Sequence, residues 1–80
     1  MYNIASERKR IDVTQAELAA RLGVSQRTVS RWEQGRHAPN ADEILKMARI
    51  FNCTSDYLLG LTDERRAVRA GLHGEELLDG

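Results

Sequence analysis

Eighty residues make one small domain with a modest core, and 41% hydrophobic with 30% charged residues is a globular rather than a disordered composition. A single cysteine rules out an intramolecular disulfide. One Cys and two His are too few for a structural zinc site of the usual kind, and no apolar run is long enough to cross a bilayer. The twelve basic and twelve acidic residues cancel, yet residues 1–40 hold seven basic against four acidic, and residues 41–80 five against eight. A neutral total of this kind permits one basic face without proving it.

The opening segment, MYNIASERKR, has no apolar signal core, which implies a reducing cytoplasm and no membrane partner. No strand pattern occurs; apolar residues recur at three and four. Ile4, Arg8 and Ile11 share one side of a first helix, expected over roughly Asn3 to Arg10. Thr14 opens TQAE, a capping box with Glu17, and the second helix should bury Leu18, Ala19 and Leu22 before Gly23 ends it. Ser25 caps a third helix running to about Gln34, closed by Gly35. GRHAPN, with the only proline, is a loop. Asn40 and Glu43 form a second capping box, and Ile44, Leu45, Ala48 and Phe51 read as the apolar stripe of a fourth helix. Thr54 caps a short fifth helix in SDYLLG, with Cys53 before it as a small buried hydrophobe. Beyond Leu61 the chain is charged, with a weak rhythm of Val68, Leu72, Leu77 and Leu78. The expected architecture is an all-α, compact five-helix domain over 1–62, followed by a charged tail over 63–80 that is partly helical or disordered and serves as dimer contact or linker.

The second and third helices are separated by only a few residues around Gly23, so they must cross steeply. Ala19 allows the close approach, Gly23 supplies a positive φ, and Val24, Val29 and Trp32 fill the angle. With Val29 pointing inward and about 100° per residue, Trp32 and Glu33 flank it, while Arg27, Arg31 and Gln34 face away, with Ser30 at their edge. Arg8 on the stripe of the first helix and Glu33 on the inner side of the third are each a poor choice alone, and together they suggest an ion pair. His37 and His73 have no acidic or thiol partner at catalytic spacing, and no serine has an evident base. The chain offers no nucleophile–base set and calls for no cofactor or metal.

TQAELAARLGVSQRTVSRWEQG resembles the helix-turn-helix of the lambda repressor/Cro-like (Xre) family of bacterial and phage regulators, and the similarity extends through the Pro39 loop and DYLLG, over roughly residues 3–62. The resemblance implies a transcriptional regulator, most simply a repressor, that lays its third helix in the major groove of double-stranded DNA and binds an inverted repeat as a homodimer. It places Gln26, Arg27 and Arg31 where base-reading residues fall, with chemistry to match: Gln pairs with adenine, Arg with guanine. Gln15, Ser25, Thr28, Ser30, Gln34 and Arg36 fall where phosphate or flanking contacts occur, and the Arg8–Glu33 pair is supported as structural. Ser55 stands where many relatives carry an apolar residue entering a helix that can contribute to dimerisation. Two other readings remain open on the sequence: an antitoxin-like module that holds a protein partner, and the N-terminal part of a longer repressor.

Overall fold

The computed structural model describes residues 1–68, and within them five helices and no strand: α1 Ile4–Arg10, α2 Gln15–Leu22, α3 Gln26–Glu33, α4 Ala41–Phe51 and α5 Ser55–Leu58. Residues 69–80, with Leu72, Leu77 and Leu78, lie outside the described residues.

Local chemistry starts and stops each helix. The Thr14 hydroxyl accepts from the Glu17 N–H at 3.0 Å, and the Thr14 N–H donates back to Glu17 Oε1 at 2.8 Å. Asn40 and Glu43 repeat this reciprocal arrangement at the head of α4, with both bonds at 2.8 Å. Ser25 and Thr54 cap α3 and α5 by accepting from the N–H three residues on. Each cap satisfies amides that the first helical turn leaves unpaired. Gly23 ends α2 at φ 72°, and Asn52 ends α4 in the same left-handed region at φ 54°.

The core is built by one face of every helix. Ile4, Leu18, Val29, Trp32, Met47, Phe51, Cys53 and Leu58 are all at most 2% exposed, and Pro39 on the loop is buried with them. Burying a large apolar side chain stabilises by about 1.5–3 kcal/mol, so these residues carry most of the gain. The segment before α1 adds to the closure. The Asn3 N–H donates to the Leu58 carbonyl at 2.9 Å and its side-chain amide donates to the Tyr57 carbonyl at 2.6 Å, which folds the N-terminus over α5.

Three expectations shift. Helix α1 begins at Ile4, with Asn3 outside it as the N-cap, and α3 ends at Glu33, with Gln34 as its C-cap. Leu45 is not on the buried stripe of α4: it is 54% exposed, and Met47 takes the core position. The helical phase explains this. Met47 and Ala48 stand four and three residues before Phe51, whereas Leu45, six before it, is rotated off that face. Glu7 of α1, which the sequence pattern does not single out, is also buried, at 2% exposure.

Arg8 reaches inward. Its Nε donates to Glu33 Oε2 at 2.8 Å, its Nη2 to Glu33 Oε1 at 3.2 Å, and its Nη1 to the Val13 carbonyl at 3.0 Å. The two side chains are 12% and 9% exposed. The hydrogen bond to Glu33 outweighs burial and keeps the guanidinium firmly charged. A pair this sheltered adds little net stability over an apolar pair of the same shape, but removal of one partner strands the other. Arg8→Ala should therefore cost roughly 3 kcal/mol in urea unfolding. The double change Arg8→Met with Glu33→Leu should recover most of that loss; equal losses in the single and double variants would exclude a stranded charge as the cause.

Gly23 and Gly60 both have positive φ, 72° and 78°. A Cβ at Gly23 would meet nothing within 4 Å, whereas one at Gly60 would run into the backbone carbonyl of Met1. Gly23→Ala should cost about 1–2 kcal/mol from backbone strain alone. Gly60→Ala should cost more, because it must also displace the N-terminal residues held down through Asn3. Equal midpoint shifts for the two variants in chemical denaturation would contradict this packing.

Candidate functional site

Helix α3 has two faces of opposite character. Val29 and Trp32, 0% and 2% exposed, press into the core, while Gln26, Arg27, Arg31 and Gln34 are exposed and Ser30 is half-buried at the boundary. So narrow an apolar face leaves most of the helix surface for polar work. The helix is also brief, eight residues, so its orientation depends on what it is tied to.

Those ties come through Glu33. Besides Arg8 of α1, it accepts a hydrogen bond from Gln15 Nε2 of α2 at 2.9 Å. One carboxylate thus joins three helices. Gln15 is held by a single N–H of its amide, which leaves a second N–H and the carbonyl oxygen for another partner. The link to Glu33 escaped the reading of the sequence, where the resemblance placed Gln15 among the phosphate or flanking contacts. The inward phase of Glu33 was visible there; the amide 18 residues upstream that meets it was not.

On the outer side, Gln26, Arg27, Ser30 and Arg31 of α3 and its C-cap Gln34 converge with Gln15 of α2 and Arg36 of the following turn on one open concavity of about 500 Å³. Arg36 joins because its backbone N–H donates to the Arg31 carbonyl at 2.9 Å, which turns the chain back toward α3. Among the described residues no acidic side chain lines this surface: Glu33, the one acid on α3, is turned the other way. Gln34 Nε2 donates to Ser30 Oγ at 3.0 Å, a bond along the helix that steadies both.

Ser25 and Thr28 are placed differently. They sit at the N-terminal end of α3, where their hydroxyls lie 2.9 Å apart and Ser25 Oγ accepts from the Thr28 N–H, and neither lines the concavity. They border the positive end of the helix dipole rather than its outward face. His37 is exposed on the loop. Among the described residues no group of three or more His, Cys, Asp or Glu is placed to hold a metal ion, and no helix is long and apolar enough to cross a membrane. Cys53 is fully buried, and burial pushes its thiol upward, which is the behaviour of a packing residue.

Comparison with known proteins bears on the fold that carries this surface. Residues 4–58 match the model of the helix-turn-helix family. The repressor protein C2 of Salmonella phage P22 is 36% identical over 56 residues, which are 70% of this chain and 26% of that protein. The transcriptional regulator ImmR of Bacillus subtilis is 34% identical over 66% of this chain and 42% of its own length. The phage CTXphi transcriptional repressor RstR of Vibrio cholerae is 31% identical over 95% of this chain and 70% of its own. The chain therefore spans about a quarter to two-fifths of the length of the first two of these relatives. Among solved structures, the P22 c2 repressor in complex with a synthetic operator superposes with a TM-score of 0.67 at 35% identity, over 71% of this chain and 86% of that one. The LexA repressor of Eubacterium rectale gives 0.66 at 26% identity, over 86% of this chain and 77% of that one. On its sequence and its helices alike, the chain belongs to the lambda-repressor-like (Xre) helix-turn-helix family.

Proposed function

We propose that this chain is a sequence-specific DNA-binding domain of a transcriptional repressor, which binds an inverted-repeat operator as a homodimer. The observation that carries the reading is the acid-free concavity on the outer side of α3, where three arginines and three glutamines meet. Three fixed positive charges on one surface suit a polyanion, and planar amides and guanidiniums suit the paired donors and acceptors of base edges. The relatives lend support, since they include phage and bacterial repressors and one was solved on an operator. The chain acts by binding rather than by catalysis, in the cytoplasm of a bacterial or phage-infected cell.

In this reading α3 enters the major groove, with Gln26, Arg27 and Arg31 toward the bases. Ser30 and Gln34 follow the groove wall. Gln15 offers its remaining amide N–H to a phosphate on one side, and Arg36 meets the strand on the other. Ser25 and Thr28 set the positive end of α3 against a phosphate, where the free amides of the first turn and the helix dipole favour negative charge. Phosphate contacts hold the register and the base contacts supply choice. The Glu33 bond to Gln15 makes that grip prepaid in orientation, so less freedom is lost on binding.

A salt series separates these roles. Arg36→Ala should weaken binding evenly across DNA sequences and reduce the slope of log affinity against log salt by about one. Arg31→Ala should relax preference at one guanine position and cost roughly 1–3 kcal/mol on the preferred site. If every base preference survives Arg31→Ala, that residue does not read sequence; if affinity for random DNA is flat with salt, the DNA reading itself fails.

A further inference from the structure

The chain beyond α5 does not leave the domain at Leu61. It crosses back over the seam between α1 and the C-terminal end of α4, where Arg65 is inserted. Arg65 Nε donates to Glu7 Oε2 at 2.9 Å and its Nη2 to Glu7 Oε1 at 3.0 Å, a two-point grip. The same Nη2 reaches the Phe51 carbonyl at 2.8 Å and the Asn52 carbonyl at 3.4 Å. Three residues on, the Val68 N–H donates to Asn52 Oδ1 at 3.2 Å.

The groups that Arg65 meets are those that most need a partner. Glu7 is 2% exposed, the most deeply buried charged residue among the described ones. Burial alone would raise its carboxyl pKa; hydrogen bonds from Arg65 and Arg10 overcome that and hold it below the usual value. Arg10 also bonds Glu7 Oε1 at 3.0 Å and the Phe51 carbonyl at 2.7 Å, but it leaves Oε2 to Arg65. The Phe51 carbonyl belongs to the last turn of α4, where carbonyls lack helical donors and the dipole favours a cation. The two arginines thus close one seam from opposite directions, one from α1 and one from a segment 58 residues further along the chain.

We propose that Arg65 is a clasp, and that residues 63–68 form a strap fastening the chain after α5 onto the α1–α4 seam. The folded unit then runs to Val68, and whatever lifts the strap leaves Glu7 half-paired and loosens the domain from behind. The strap lies outside the set of residues around the α3 concavity, so it acts on stability and not on contact with DNA. The alternative role for an arginine in such a domain is a further phosphate contact, and the two make opposite predictions.

The test uses the full chain and the variants Arg65→Ala and Arg65→Lys. Arg65→Ala should lower Tm by about 5 °C or more. It should raise the NMR titration midpoint of the Glu7 carboxyl, which then faces only Arg10 and the Cys53 thiol. Well below the melting range, the salt slope for random DNA should not change. Arg65→Lys, which keeps the charge and loses the two-point grip, should fall between Arg65→Ala and the parent in both Tm and the Glu7 midpoint. Should Arg65→Ala not fold, Arg65→Lys with a lowered Tm and a raised Glu7 midpoint supports the clasp by itself. A parent-like Tm with an unmoved Glu7 midpoint overturns the proposal, as does a salt slope reduced by about one with no loss of stability.

Discussion

Everything on the outer surface of α3 depends on the carboxylate of Glu33 facing the other way. The helix presses only Val29 and Trp32 deeply into the core, and two apolar anchors on eight residues define its position better than its rotation. Glu33 supplies the missing constraint by accepting from Arg8 on α1 and Gln15 on α2. A rotation large enough to bring Arg31 away from its present direction would pull Glu33 off both donors and leave a charge of 9% exposure unpaired. The cost of that, rather than any net gain from the pair, is what holds the angle.

The same turning inward decides the electrostatics. Of the acids in the first half of the chain, Glu33 is consumed by Arg8 and Glu7 by Arg10 and Arg65. Neither contributes an exposed negative charge, while Arg27, Arg31 and Arg36 remain on the surface. A chain of zero formal charge can therefore carry a locally basic, acid-free surface. Two ion-paired glutamates, Glu7 on α1 and Glu33 on α3, make that compatible with a closed core. One pair orients the presenting helix, the other closes the back of the domain.

What could be read from the sequence follows how far apart the interacting residues lie. The caps at Thr14, Ser25, Asn40 and Thr54 depend on partners three residues away, so each was visible in a four-residue pattern, as was the stop at Gly23. The helix-turn-helix spans so few residues that its whole pattern lies in one short stretch, and the resemblance to the family rests on that stretch. The phase of α4 was less plain, because Leu45 and Met47 are both apolar and both adjoin good core positions; only with Phe51 fixed in the core does the helical phase put Met47 inside and Leu45 outside. The burial of Glu7 was not readable at all. Its second partner lies in the charged stretch that composition described as tail, and nothing local to either residue announces the contact. In the candidate site, the outward phase of Arg27, Arg31 and Gln34 followed from helical geometry and the place of Gln26 from the resemblance, whereas the tie between Gln15 and Glu33 required the fold.

The central claim is that the face held outward by Glu33 reads DNA sequence in a two-fold manner. Selection of bound duplexes from a random pool by the full chain tests it most directly. The expected result is enrichment of an inverted repeat whose half-sites lie about 34–36 Å apart, one helical turn centre to centre. A bound pool without any enriched sequence would contradict recognition by α3, and an enriched site lacking two-fold symmetry would contradict the homodimer.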